Sequence, residues 1–538
     1  MRRMMTIAAV AMLSGTIGLH ADDKTAARWF SHVEALANDG MEGRNTGSPA
    51  HKRAAEYVAA QFKKAGLEPA GVNGYIQPVP FKTRKIVEAE SSLALVRDGH
   101  TVPLTLGDDA TISLRVDPAP TVEAPLVFVG YGLKIPERGI NDFAGVDLKG
   151  AIVVYVSSTP RSLPGPLQAH FGSAGERWKM YQAAGAIGTI SIANPKSMDI
   201  PWERSTLARL QPAMSLADPS LDEAPGQKLS LTMNPARADA LFAGSGHTFA
   251  EMLARVDAGK PVPSFALPVR VQATTKVERS NVESQNVAGI LRGADPKLRD
   301  QYVVLSAHLD HLGIGGAING DSLYNGAMDN ASGIAALLEV AASLHEAGTK
   351  PARSILFVAV TAEEKGLLGS SYFAARPTVP QANIVANINT DMFLPLFPMK
   401  LLMVLGLDES DLGEDVRAAA SAVGVTVQAD PEPQRNRFVR SDQYSFIKHG
   451  IPSLAMKVGY EEKSPEAAIA ARWTAERYHA PSDDLSQPID RSAAAKYVEV
   501  VRDLAVRIAN RTDRPKWSET SFFKRFAERS AKASAERP

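Results

Sequence analysis

Residues 302–311, YVVLSAHLDH, decide the fold expected for this chain. They begin as a continuous apolar run of strand length and end in two histidines around an aspartate. Further apolar strands are predicted at 355–360, 384–388 and 452–456, and helical patterns at 332–345 and 490–510. Strands that alternate with helices predict an α/β fold, with a mostly parallel (mixed) central sheet and helices on both faces.

The composition narrows the classes of function. The chain has 538 residues, and its 59 Lys and Arg balance its 59 Asp and Glu. Such a chain has room for several domains, and no overall positive charge suggests nucleic acid as a partner. Because the chain contains no cysteine, thiol nucleophiles and thiolate metal sites are excluded. Any transition-metal site must therefore use His, Asp, Glu and water.

The N-terminus is typical of a secretory signal. Arg2 and Arg3 precede an apolar run over residues 4–19, and the small residue Ala21 offers a cleavage point. The run is shorter than the ~20 residues of a membrane-spanning helix. The sequence therefore predicts a signal peptide at residues 1–21 and no stable membrane span after its removal. We expect the mature protein to be exported to a periplasm or secreted.

Metal-binding residue types follow the predicted strands. In open α/β sheets, ligands bind beyond the carboxyl ends of the strands, so these positions are candidates for one site. The candidates are His308 and Asp310, Asp329 in the turn NGAMDNASG, the pair Glu363 and Glu364, Asp391, and His479 in a late loop. Two histidines and three carboxylates suit two divalent metals that share one carboxylate, and oxygen–nitrogen ligation favours Zn²⁺, with Mn²⁺ or Co²⁺ as alternatives. Asp484 is interpreted as a cap or support of the late loop.

The amino-acid sequences of these segments resemble the motifs of a known family. AHLDHLG, NGAMDNASG, TAEEKGLLGS, NTDM and RYHAPSDD are similar, in this order, to the co-catalytic zinc aminopeptidases of peptidase family M28. The resemblance implies that Asp329 bridges two zinc ions, and that Glu363 is the general base and acid. It further implies that Asp310 orients His308 and that Tyr478 stabilises the oxyanion. The remaining ligands implied are His308 and Asp391 at one metal, and Glu364 and His479 at the other.

The resemblance also divides the chain. The segments VFVGYGL and DFAGVDLKGAIVVYV are similar to the protease-associated (PA) domain that many members carry as an insertion. The expected parts are 24–118 and 276–510 for the peptidase domain, 119–275 for a β-rich PA-like domain, and 511–538 for a basic tail. No metal-ligand or nucleophile cluster is apparent within 119–275.

The function implied is the removal of N-terminal residues from peptides. A carboxypeptidase of the same family remains an alternative, because Arg435, Arg437 and Arg440 could bind a free carboxylate. A non-catalytic binding protein similar to the transferrin receptor is disfavoured, because all five metal positions are kept. The sequence leaves the side-chain preference, the oligomeric state and the role of the PA-like domain open.

Overall fold

The structure is a computed structural model that describes residues 17–435 and 437–535. The predicted signal peptide, residues 1–21, lies outside the described residues as far as residue 16. A helix covers Ile17–Ala37. Among the described residues, no helix is both long enough and apolar enough to cross a bilayer.

The first of two large sheets is mixed and has ten strands. Its three central strands, Tyr302–His308, Ser354–Val360 and Ile384–Asn389, are parallel and fully buried, as their apolar sequences predict. In spatial order the strands are Ala213–Leu216, Ile76–Ile86, Val277–Leu291, Ser354–Val360, Tyr302–His308, Ile384–Asn389, Ser453–Gly459, Leu401–Leu405 and Thr426–Ala429, with Glu68–Pro69 beside Val277–Leu291. The predicted α/β class with a mixed central sheet is therefore confirmed.

Helices cover both faces of this sheet because its buried side chains alternate between the faces. One face packs against helices Ile17–Ala37, Pro49–Lys64, Ser332–Glu346, Leu412–Ala422 and Arg491–Asn510. The other face packs against Leu368–Ala375 and Gln443–Lys448. Helix Pro465–Glu476 leads into the loop that carries His479.

A second sheet of eight strands forms a separate β-rich domain. In spatial order its strands are His100–Leu104, Ser92–Arg97, Ser264–Thr274, Thr121–Val129, Ile152–Ser157, Gly188–Ala193, Leu229–Met233 and Ala110–Ile112. The helices of this region are Gly165–Gly172, Ala174–Ala183, Trp202–Ser205, Asp239–Phe242 and Phe249–Asp257. Two short hairpins pair Gly313–Ile318 with Asp321–Tyr324 and Lys134–Ile135 with Ile140–Asn141.

The C-terminal segment joins the two domains. Trp517, Phe523 and Phe526 are buried in one apolar cluster with Ala169 of the second domain and Phe438 of the first. A helix then covers Lys524–Ala535. The tail therefore packs on both domains through its aromatic side chains.

Candidate metal centre

The central parallel strands of the first sheet end at one edge of the molecule. His308 is the last residue of its strand, and the other strands lead directly into the segments with Glu363, Glu364 and Asp391. Asp329 lies in an irregular turn, 327–331, before helix Ser332–Glu346. Parallel strands place their carboxyl ends together, which is why residues far apart in sequence meet here.

The first donor set consists of His308, Asp329 and Asp391. The Nε2 atom of His308 lies 3.2 Å from Oδ1 of Asp329 and 3.3 Å from Oδ1 of Asp391. The Nδ1 atom of the same ring lies 3.1 Å from the carbonyl oxygen of Asp310. A carbonyl oxygen only accepts, so Nδ1 carries the proton and the lone pair of Nε2 faces the carboxylates.

The second donor set uses the other oxygen of Asp329. The Nε2 atom of His479 lies 3.3 Å from Oδ2 of Asp329 and 3.1 Å from Oε2 of Glu364. His479 has a φ of 52°, in the left-handed region, near the start of the loop that follows helix Pro465–Glu476. Asp329 therefore faces one histidine with each oxygen, as a bridging carboxylate must. All five predicted ligands lie together, and their role as ligands stays a prediction.

These separations fit the zinc ions that the resemblance in sequence implies. At metal–ligand bonds of about 2.0 to 2.1 Å, ligand atoms on a tetrahedron lie about 3.3 Å apart. The nitrogen–oxygen distances within the two sets are 3.1 to 3.3 Å. The carboxylates of Asp329, Glu364 and Asp391, which are largely shielded from solvent, also repel each other unless cations separate them. The donor set of nitrogen and oxygen atoms is one that Zn²⁺ accepts.

Asp310 holds the turn that carries the two glutamates. Its carboxylate accepts hydrogen bonds from the backbone N–H of Glu363 at 3.0 Å, of Glu364 at 3.3 Å, and from the Thr46 hydroxyl at 3.0 Å. The same carboxylate is 4.0 Å from Nδ1 of His308. Asp310 thus contacts His308 through its carbonyl group and fixes Glu363 through its side chain.

Glu363 has an unusual environment for a carboxyl group. Burial raises the pKa of Glu363 well above its usual range, and the charges of Asp391 and Glu364 raise it further, against an opposing effect of His308. A carboxyl group with a raised pKa holds a proton more readily than an exposed one. This is the property that a general base and acid requires.

Two cavities open on the donor sets. The larger, of about 630 Å³, is lined by Asp391 and Tyr478 together with Phe397, Arg440 and Lys457. The smaller, of about 310 Å³, is lined by Glu364 and His479 together with Arg204, Leu207 and Tyr324. Space for a ligand therefore exists on both sides of Asp329. The ring of Tyr478 lies beside that of His479, tilted by 33°, with ring centroids 4.0 Å apart.

A segment that leaves the second sheet separates these cavities. Residues 198–214, which we call the strap, run from strand Gly188–Ala193 of the second sheet to strand Ala213–Leu216 of the first. Asp199 lines the larger cavity, and Arg204 lines the smaller one. Both are anchored to the first domain. Asp199 pairs with Arg435 and Arg440 at 2.7 Å each, and Arg204 donates to the carbonyl oxygen of Ala475 at 2.9 Å.

The sequence did not reveal Arg44 as part of the site. Its side chain is fully buried. The guanidinium group donates to the carbonyl oxygens of Leu309 at 3.0 Å, Asn325 at 2.7 Å and Gly326 at 2.9 Å, and also to that of Leu36. Arg44 therefore ties the loop after His308 to the turn before Asp329. No sequence pattern identifies the main-chain carbonyl groups that a buried arginine will bind. The only local signal for Arg44 is a charged residue that follows Gly43 in a loop.

Asp483, rather than Asp484, supports the Asp329 turn. The buried Asp483 carboxylate accepts the N–H groups of Met328 at 2.9 Å and Asp329 at 3.0 Å. Asp484 instead accepts from Ser486 at 2.8 Å in a local turn. Asp484 thus caps a turn within the late loop, which agrees with its interpretation as a cap or support of that loop. The adjacent aspartates could not be told apart because either could have faced inward.

Comparison with known proteins places the donor sets within a family. The model of peptidase family M28 matches residues 286–505, the range that contains the five predicted ligands. Residues 286–505, and with them the candidate metal centre, are therefore similar to peptidase family M28.

Individual relatives agree with this family. A probable leucine aminopeptidase 2 of Aspergillus oryzae is 29% identical over 232 residues, 40% of this chain and 43% of that protein. A probable glutamate carboxypeptidase of Arabidopsis thaliana is 27% identical over 450 residues, 75% of this chain and 58% of that protein. The chain spans about half the length of the curated relatives it matches.

The fold also has a solved counterpart. An aminopeptidase from Aneurinibacillus sp. strain AM-1 superposes with a TM-score of 0.54, covering 92% of this chain and 96% of that chain at 21% identity. The likeness therefore extends over both domains at the level of fold.

Proposed function

We propose that the chain is an exported exopeptidase that removes N-terminal residues from peptides with the help of two zinc ions. The observation that carries the proposal is the pair of donor sets joined through Asp329, with Glu363 held beside them by Asp310. Support for peptides as substrates comes from the family and from relatives named as aminopeptidases.

The ligands divide between two ions. His308, Asp329 and Asp391 would hold one, while Asp329, Glu364 and His479 would hold the other. Zinc in such sites polarises a peptide carbonyl and lowers the pKa of water. Mn²⁺ or Co²⁺ suits the same donors.

Protein groups handle the protons. Glu363 accepts the proton of the attacking water and later delivers it to the nitrogen of the leaving peptide. The Asp310 carboxylate keeps Glu363 in place through its backbone N–H. Tyr478, on the wall of the larger cavity, is the candidate donor of a hydrogen bond to the developing oxyanion.

Charge pairing in the larger cavity bears on the carboxypeptidase alternative. Arg435 and Arg440 already pair with Asp199, and Arg437 pairs with Asp430 and Glu432. These arginines are largely neutralised, which favours the aminopeptidase.

One lysine supports the alternative. Lys457 lines the same cavity and donates to the carbonyl oxygen of Met392 at 3.2 Å. None of the described carboxylates forms an ion pair with it. A free carboxylate could therefore bind there, and a substrate panel must separate the two activities.

The decisive experiment is a panel of free-amine, N-acetylated and C-amidated peptides, assayed before and after chelation by dipicolinate. We expect cleavage of free-amine peptides, whether C-amidated or not, no cleavage of N-acetylated ones, and recovery of activity with Zn²⁺. Release of C-terminal residues from N-acetylated peptides would instead identify a carboxypeptidase. Mass spectrometry of protein from the exported fraction should find a chain that begins at Asp22.

A further inference from the structure

One histidine of the candidate metal centre has no role in the assignment above. His311 follows Asp310 directly, and its ring is fully buried. Its Nδ1 atom lies 2.8 Å from Oε1 of Glu364 and 3.9 Å from Oδ2 of Asp329. Together these three side chains form a group of potential metal ligands. The ring therefore faces the second donor set.

Within the part of the chain that the structure describes, the polar contacts of the His311 ring are to the second donor set alone. Its backbone N–H donates to the carbonyl oxygen of Arg44, which fixes the main chain. Its Nε2 atom is buried and has no hydrogen-bond partner among the described residues. The polar contacts of the ring are thus confined to Nδ1 and the carboxylates of Glu364 and Asp329. A buried imidazole with its nitrogen at two carboxylates is typical of a metal ligand.

We propose that His311 is a fourth protein donor to the second cation, beside His479, Glu364 and Asp329. This inference rests on the proposed function, since it presumes that two cations bind. The Nδ1 atom of His311 lies 2.8 Å from Glu364 and 3.9 Å from Asp329. These two values are below and above the nitrogen–oxygen distances of 3.2 and 3.3 Å within the first set. The second site then has two imidazoles, whereas the first has only His308.

The two sites would consequently differ in affinity. Four protein donors with two nitrogens close the coordination of a zinc ion, as in structural zinc sites, whereas three donors leave a position open. Imidazole also favours Zn²⁺ over harder cations such as Mn²⁺. We therefore expect the second site to fill first and to retain its ion longer during chelation.

The test is a metal titration of apo-protein, prepared by dipicolinate treatment of the full chain. Calorimetry with Zn²⁺ and absorption spectra with Co²⁺ should resolve two binding steps in the wild type. His311→Ala should weaken the tighter step by more than the roughly 10- to 100-fold that loss of an outer partner costs, and should leave the weaker step unchanged. Thermal unfolding of the apo-protein checks that the variant is folded.

A second variant separates binding to metal from a hydrogen bond. His311→Gln keeps an N–H donor for Glu364 but is a poor zinc ligand, so we expect it to resemble His311→Ala. Restoration of the tighter step by glutamine would overturn the proposal and reduce His311 to a hydrogen-bonding partner. His51→Ala is the matched control, because His51 is also fully buried with an unpartnered Nε2, yet contacts Ser284 rather than a ligand.

The outcomes also separate this inference from the proposed function. Wild-type protein that binds no divalent cation would refute the metallopeptidase itself. Two bound cations with an unchanged titration in His311→Ala would refute only the role of His311. An unchanged titration in His51→Ala together with a weakened one in His311→Ala supports it.

Discussion

The two sheets of this molecule have a similar strand arrangement but differ in the residues that follow their parallel strands. Both contain buried parallel strands, such as Tyr302–His308 in the first and Ile152–Ser157 in the second. The first sheet ends its parallel strands in His308 and in the segments of Glu363 and Asp391. The parallel strands of the second sheet end in small or apolar residues, Ser157 and Met233 among them.

This difference separates the contribution of the fold, which is the position of a site, from the contribution of the side chains, which is its reactivity. Parallel strands create an edge where loops converge, in either domain. Only histidines and carboxylates at that edge make it a candidate for catalysis. The second domain contributes otherwise, since its strap forms a wall of both cavities. Three experiments test this division of roles, in order of decreasing effect.

Glu363→Gln should have the largest effect. Glutamine keeps the size of the side chain but cannot accept a proton, so kcat should fall by about 10²- to 10⁴-fold. Zinc content, measured by elemental analysis, should stay the same. Asn194→Ala, after a strand of the second sheet, is the control and should keep near wild-type kcat. Equal losses in both variants would mean that the two edges do not differ in function.

Arg44→Met tests how the first domain holds its edge together. The change removes the arginine donor from four buried carbonyl groups, of which Gly326 still accepts the N–H of Ala331. Each carbonyl group left unsatisfied costs roughly 1–3 kcal/mol. We expect a lower melting temperature and weaker zinc binding, because the loops of His308 and Asp329 are no longer joined.

Arg353→Met provides the comparison for that variant. Arg353 is also fully buried and donates to the carbonyl oxygens of Arg511 and Thr512, away from the metal centre. The Arg353→Met variant should be less stable than the wild type but bind zinc with the same affinity. If both variants bound zinc like the wild type, Arg44 would be a structural residue only.

Arg204→Ala should have the smallest effect and tests the strap. The variant loses hydrogen bonds to the end of helix Pro465–Glu476, worth about 1 kcal/mol. That free energy corresponds to about a fivefold rise in KM, with kcat almost unchanged. Steady-state kinetics on short peptides measure both. A fall in kcat with constant KM would indicate that the second domain acts on the reaction itself.

The sequence was sufficient for the central sheet and for the residues gathered at its edge. Apolar strands and the polar residues that follow them have local signatures, as in residues 302–311. Arg44, Asp483 and His311 were missed as functional residues for a common reason. Arg44 and Asp483 bind main-chain groups, and His311 meets Glu364 only once two strands are paired. The strap depends on contacts between domains, which no local pattern encodes.

The aromatic cluster of the tail has a consequence for biosynthesis. Trp517, Phe523 and Phe526 leave the ribosome after all the residues they cover. While the nascent chain is still growing, the surfaces around Ala169 and Phe438 stay uncovered, although each domain already has its own core. The contact between the domains at this cluster is therefore completed only after residues 517–526 have been made.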